Sequence, residues 1–222
     1  MNPKQHFNQI AGDYDYWKNK NWYYYQNLKT LYRSLIPTGK RIWEIGCGTG
    51  DILVALEPSY GFGTDISEEM IKIAENKYRN KQNIRFETAD LADINEADNY
   101  DYIIVADVLE HVKNLDDFFA NLSMLAKPGI KMIVSIINPA WEPILMLTEK
   151  LKMKMPEGSH WRLSLPRNES IFKKNGFKIA DKGYRLLIPK KIPCSDTINS
   201  LFYKNKILAR FGLIVFWVLE KN

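Results

Sequence analysis

From residue 41 to about residue 137, short runs of consecutive apolar residues alternate with segments that carry a helical apolar stripe. That rhythm predicts βαβ units and a parallel sheet. The runs are 41–45, 60–64, 83–87, 100–106 and 129–137. The fourth (YDYIIVA) and fifth (GIKMIVSII) are apolar at successive positions, as strands covered on both faces require. Between the runs, Ser67 predicts a helix cap with Glu68 and Glu69 in the first turn, where acids complement the helix dipole. Ile66, Met70, Ile73 and Ala74 then share a face. Asn114 predicts the next cap, ahead of Asp116 and Asp117, with Leu115, Phe118, Phe119 and Leu122 as the stripe and Lys127-Pro128-Gly129 as the stop. Upstream of the sheet, Leu28, Leu31, Tyr32 and Leu35 form a stripe that closes at Pro37.

Downstream, the rhythm fails. Residues 138–166 hold four prolines, two tryptophans and three of the seven methionines, with no strand pattern. A long irregular stretch after a central strand predicts a lid or binding segment. Residues 168–175 read as a short helix ending at Gly176, 177–187 are apolar, and 213–219 read as a last strand. No linker composition divides the chain. The pattern predicts one domain over 1–222, with an N-terminal helical extension (about 1–37) and an inserted cap (about 139–165).

Composition narrows the class. With 45% apolar and 26% charged residues in 222, the chain can bury a sizeable core, which excludes disorder and fibrous repeats. The longest apolar run, 211–219, is nine residues, far below the ~20 of a spanning helix. The opening ten residues lack the apolar core of a secretory leader. Cys47 and Cys194 make no disulfide scaffold. The expectation is a cytoplasmic protein with two free thiols. The net charge of +5 is uneven: residues 1–150 carry 16 Lys+Arg against 21 Asp+Glu, and residues 151–222 carry 15 against five. The basic third fits a solvated lysine-rich surface, or one that faces an anionic substrate, membrane or nucleic acid.

The strongest constellation is Glu44-Ile45-Gly46-Cys47-Gly48-Thr49-Gly50, where the first strand runs out. Glycines let the backbone turn sharply and approach a ligand, and a helix start supplies free N–H groups. A dinucleotide site would place its third glycine one residue later, at Asp51. An acid two residues before the first glycine fits a cationic ligand better than a pyrophosphate. Asp65, 19 residues beyond Gly46 at the end of the next apolar run, can accept both hydroxyls of a ribose. A ribose with a cationic attachment and no phosphate points to S-adenosylmethionine.

On these residues the chain resembles the class I S-adenosylmethionine-dependent methyltransferases, closest to the small-molecule group that includes ubiquinone- and menaquinone-biosynthesis enzymes. The resemblance is good over roughly residues 7–137 and loose beyond. It implies a three-layer, doubly wound Rossmann-like α/β fold with a mostly parallel seven-stranded sheet and an antiparallel last strand. It implies that EIGCGTG, with Glu44, Gly46, Cys47, Gly48 and Gly50, wraps the methionine part of the cofactor. Asp65 would hold the ribose, Ile66 would pack near the adenine, and Asp90 and Leu91 would read the adenine edge. Asp107 would lie beside the methionine and the substrate. Tyr14 and Tyr16 resemble a segment that folds over the cofactor. The aromatic cluster Trp17, Trp22, Tyr23, Tyr24 and Tyr25 fits packing or recognition.

Methyl transfer from a sulfonium is an in-line displacement whose leaving group is already activated, so proximity and orientation supply much of the catalysis. A base matters when the acceptor is a hydroxyl or a protonated amine. His111 and His160 are the candidates; His6 is set aside as part of a loose terminus. Some O-methyltransferases carry E-x-x-E-H where this chain has Asp107-x-x-Glu110-His111, and hold a divalent cation there. Relatives with a similar LEHV stretch need no metal. The expected function is methylation of a small molecule, lipophilic or anionic, with peripheral contact to an anionic membrane as one partner. The alternatives are an RNA or protein methyltransferase docking through the basic third, and a non-catalytic cofactor-binding subunit.

Overall fold

Seven strands pair into one sheet: β1 (Arg41–Ile45), β2 (Tyr60–Asp65), β3 (Ile84–Thr88), β4 (Tyr102–Ala106), β5 (Lys131–Ile137), β6 (Phe177–Arg185) and β7 (Ile214–Lys221). Their order is β3-β2-β1-β4-β5-β7-β6. The computed structural model describes residues 2–94, 99–155, 164–205 and 207–221. The pairs among β1 to β5 are parallel, and β7 runs antiparallel between β5 and β6. This is the doubly wound, mostly parallel seven-stranded architecture that the resemblance implies. The 177–187 run supplies β6, the strand that periodicity leaves without a type.

The continuous apolar runs are explained by two cores, one on each face. On one face Trp43, Ile103, Val105, Val134 and Trp217 pack under α5 (Leu115–Leu125) and α7 (Leu165–Lys174). On the other, Ile42, Ile104, Ile133 and Phe216 pack with Leu28, Leu31 and Tyr32 of α2 (Trp22–Leu35), Leu53 of α3 (Asp51–Ala55), and Ile71 and Ala74 of α4 (Glu68–Tyr78). Burying an aliphatic side chain of this kind contributes about 1.5–3 kcal/mol, so successive apolar positions stabilise both layers at once. The predicted caps form: Ser67 Oγ accepts from Met70 N–H, and Asn114 Oδ1 from the N–H groups of Asp116 and Asp117. In α4 it is Ile71, not Ile73, that is buried with Met70 and Ala74.

The expected loose N-terminus is instead a continuous helix, α1 (Pro3–Lys20), capped by Asn2 and packed against α4. His6 therefore sits in ordered structure. The start of the cap region is also helical: a 3₁₀ turn at Pro139–Trp141 runs into α6 (Glu142–Lys150). A further helix, α8 (Ser195–Lys204), precedes a 3₁₀ turn at Leu208–Phe211. The direction of strand addition reverses at β1 and β4, and a ligand crevice forms at the carboxyl ends of such a pair.

Gly50 stands at the start of α3, at the end of the loop that follows β1. It adopts φ +81°, and a Cβ there would lie 2.6 Å from the buried Phe86 ring. A left-handed alanine costs about 1–2 kcal/mol, and overpacking adds to it. Gly50→Ala is expected to lower thermal stability by roughly 5–10 °C, read by differential scanning calorimetry. An unchanged midpoint would show that Phe86 can move aside.

Candidate active site

The loop after β1 is held from both sides. Gly46 and Cys47 donate their N–H groups to Thr64 O at 2.7 and 3.0 Å. Gly48 N–H donates to Asp65 Oδ2 at 2.8 Å, while Asp65 Oδ1 accepts from Ser67 N–H at 2.9 Å. One carboxylate at the end of β2 therefore fixes the loop and the start of α4 together. Burial raises the Asp65 pKa despite these backbone donors.

Glu44 is 1% exposed, and its Oε2 accepts from Leu53 N–H at 3.0 Å. It replaces the side-chain cap that Gly50 cannot give α3. Burial pushes its pKa to about 8, although the Leu53 hydrogen bond works the other way. A carboxyl raised in the folded state stabilises the fold while protonated. That contribution is full below its unfolded value near 4.5 and is lost as pH rises through about 8. Glu44→Gln keeps an acceptor for Leu53, so its unfolding free energy is expected to be flatter than wild type between these values in denaturant titrations.

A cavity of about 1000 Å³ lies over this loop. Of the predicted cofactor residues, Glu44, Gly46, Cys47, Gly48, Asp65, Ile66, Asp90, Leu91 and Asp107 line it. Gly50 stands outside the wall, because its open side is filled by Phe86. Gly46 is likewise closed by Val108, whose side chain a Cβ would strike, whereas a Cβ on Gly48 would meet the Tyr14 ring only at 3.4 Å. Asp90 also caps the 3₁₀ turn at Leu91–Asp93, accepting from Ala92 N–H at 3.1 Å. Cys47 is buried, and burial pushes its thiol pKa well above the usual range, which disfavours the thiolate.

The roof is α1, the helix that carries Tyr14 and Tyr16. Phe7, Tyr14 and Lys18 line the cavity from this helix, and with Ala11 they repeat every three or four residues, a face legible in the sequence. Tyr14 lines the site and Tyr16 is 62% exposed. Lys18 Nζ donates to Thr49 Oγ1 at 2.9 Å, pairs with Asp51, and lies over the Tyr14 and Tyr25 rings. Lys77 joins Asp51 and Asp15, both at 2.7 Å. Burial alone would raise the Asp51 carboxyl, but Lys18, Lys77 and Tyr78 hold it well below the usual range. The network clamps α1 to the glycine loop and α4.

Asp107 leaves β4 at φ +54°, a region that aspartate tolerates better than most residues. Its Oδ2 accepts from Tyr24 OH at 2.5 Å and its Oδ1 from Ser135 Oγ at 2.9 Å. Burial, then the Asp107 charge, keep the Tyr24 phenol protonated by raising its pKa. Beyond Asp107 lies a second cavity of about 200 Å³. Phe7, Tyr14, Tyr25, Asp107 and His111 line both cavities. Trp17, Tyr24, Trp141, Leu145, Met153, Met155, Lys154 and Lys190 contribute to the second alone. The aromatic cluster thus divides: Trp17, Tyr24 and Tyr25 face the cavities, Tyr23 is buried and donates to Asp196, and Trp22 is half-exposed.

His111 stands between the cavities, edge-on to Phe7 with centroids 4.9 Å apart. His160 lies outside the described residues. Among the described residues no three His, Cys, Asp or Glu side chains converge on one point. The carboxylates of the D-x-x-E-H stretch are engaged elsewhere: Asp107 by Tyr24 and Ser135, and Glu110 Oε1 by Ile137 N–H at 2.7 Å. That geometry does not fit the divalent-cation alternative. A cationic nucleoside does fit the larger cavity, where Asp65, Asp90 and Asp107 face apolar Ile66, Leu91 and Val108.

Comparison with known proteins agrees with this geometry. Residues 16–182 match the family described as "Methyltransferase domain". The chain belongs to this family, and its class is that of the S-adenosylmethionine-dependent methyltransferases. A ubiquinone biosynthesis O-methyltransferase of Coxiella burnetii is 30% identical over 140 residues, 60% of each chain. A demethylmenaquinone methyltransferase of Staphylococcus carnosus is 28% identical over 137 residues, 55% of each. The chain thus spans less than two thirds of the length of these two relatives. Among solved structures, an S-adenosylmethionine-dependent methyltransferase of Thermotoga maritima superposes with a TM-score of 0.75 at 18% identity, covering 99% of both chains. Magnesium protoporphyrin IX methyltransferase of Synechocystis, with bound S-adenosylhomocysteine, gives 0.68 at 20% identity, covering 99% of this chain and 97% of that one. At such identities the likeness is one of fold. No helix among the described residues is long and apolar enough to cross a membrane.

Proposed function

We propose that residues 1–222 act as one methyltransferase domain that methylates a small molecule held in the 200 Å³ cavity. The observation that carries this reading is the shared wall: Asp107 and His111 face both cavities, so donor and acceptor would meet there. The donor, when bound, supplies an electrophilic methyl group on a cationic sulfur.

In this reading Asp65 accepts the ribose hydroxyls, while Ile66 and Leu91 enclose the adenine with Asp90 at its edge. Gly46, Cys47 and Gly48 present backbone to the methionine part, and buried Glu44 acts indirectly, by fixing the start of α3. Tyr24, held by Asp107, positions the acceptor, and His111 takes the proton from an acceptor hydroxyl or ammonium. The aromatic and methionine lining favours an apolar body, and Lys154 and Lys190 favour an anionic group on it. Of Lys150, Lys152 and Lys154 in the cap, only Lys154 lines the cavity, so the cap selects the acceptor chiefly through Trp141, Leu145 and Met153.

Incubation with methyl-labelled S-adenosylmethionine and fractionated cell extract tests the reading. Label is expected in the small-molecule or lipid fraction. Label confined to RNA or protein would overturn it.

A further inference from the structure

The smaller cavity opens beside an apolar surface that no other element covers among the described residues. α6 turns Leu145 and Thr148 onto the cavity and sends Met146, Leu147 and, one turn on, Leu151 outward, each more than half exposed. Leu147 and Leu151 are four residues apart and so stand on one side. Ile144 and Met153 are themselves 50% and 43% exposed while lining the cavity, which makes them its rim and the surface continuous with its mouth.

The 3₁₀ turn at Leu208–Phe211 is tied alongside. Trp141 Nε1 donates to Phe211 O at 2.8 Å, and Asn138 Nδ2 donates to Arg210 O at 3.0 Å. Leu208 and Phe211 also face solvent, at 44% and 59% exposed. A contiguous apolar surface of this kind marks an interaction face.

Charge selects among occupants. Lys150, Lys152, Lys190 and Arg210 are exposed around this surface. Three lysines on other faces of the basic third are instead ion-paired: Lys174 with Asp116, Lys182 with Glu169 and Lys191 with Asp196. Apolar side chains ringed by cations match an anionic bilayer, with the former at the acyl boundary and the latter at headgroup phosphates. We infer that this face docks on an anionic lipid surface, with the mouth of the smaller cavity turned toward the bilayer. The purpose of the docking, entry of an apolar acceptor from the lipid phase, rests on the proposed function; the docking itself does not.

Co-sedimentation of the full chain with phosphatidylglycerol–phosphatidylcholine vesicles tests it, against vesicles of phosphatidylcholine alone. Binding is expected only to the anionic vesicles and is expected to weaken as salt rises. Lys150→Gln with Lys152→Gln should weaken it about 25-fold, at about fivefold per lysine. Leu147→Ser with Leu151→Ser should weaken it at least tenfold. None of these four residues lines a cavity, so S-adenosylmethionine affinity, read in parallel, is expected to be unchanged and reports folding.

Three outcomes would overturn the inference. The first is a wild-type chain that stays in the supernatant or binds both vesicle types equally. The second is a wild-type dimer that Leu147→Ser with Leu151→Ser dissociates, which would make a second copy the occupant. The third is RNA binding lost in the lysine variant and kept in the leucine variant, with no vesicle binding. Absence of label in any small molecule would instead overturn the proposed function and leave the vesicle result standing.

Discussion

Replacing Asp65 with alanine is expected to weaken S-adenosylmethionine binding a hundredfold or more, measured by isothermal titration calorimetry. Two losses combine. The ribose loses two charge-assisted hydrogen bonds of about 1.5–3 kcal/mol each. The chain also loses the acceptor that Gly48 N–H and Ser67 N–H share, which frees the loop that approaches the ligand. Asp65→Asn keeps one acceptor oxygen and should fall between wild type and Ala. Because burial raises the Asp65 pKa above the ordinary aspartate value of 3.8, acidification should begin to weaken binding at a higher pH than an exposed aspartate would allow. Unchanged affinity in a folded Asp65→Ala chain would place the ribose elsewhere.

His111→Ala is expected to lower turnover about a hundredfold or more, the range of a lost general base, while S-adenosylmethionine affinity changes only a few-fold. The ring is the one imidazole among the described residues that lines both cavities, and it lies edge-on to Phe7. A purely structural ring would move affinity and thermal midpoint along with turnover. Full turnover in the folded variant would remove His111 from the chemistry and leave positioning by Asp107 and Tyr24.

Much of the scaffold is legible in the sequence because both faces of the sheet are covered. Strands such as β4 and β5 are then apolar at successive positions, and their runs are readable without neighbours. The glycine loop is legible for a related reason: positive φ at Gly46, Gly48 and Gly50 restricts residue type locally. Roles within the loop are not. Gly50 and Glu44 look like ligand residues in sequence, yet Phe86 fills the space beside one and Leu53 N–H occupies the carboxylate of the other. Those partners are 36 and nine residues away.

The acceptor side is harder to read. Tyr24 and Asp107 are 83 residues apart, and no spacing rule joins them. α6 is hidden because three prolines around it disrupt the local pattern, although Pro143 sits in its first turn, where proline is tolerated. His6, set aside with a loose terminus, belongs to a helix whose order comes from packing on α4 and from the Lys18–Asp51–Lys77 clamp.

By itself the sequence determined the α/β class, the strand runs, the helix caps and the glycine-acid pair that points to the cofactor. Each is set by contacts within a few residues or by burial on both sides of a strand. Only the tertiary structure decided that α1 turns Tyr14 and not Tyr16 onto the site, that Asp107 is shared between two cavities, and that α6 lines one of them while exposing Met146, Leu147 and Leu151. Those features depend on which distant side chains meet across the carboxyl edge of the sheet, and local periodicity carries no record of such meetings.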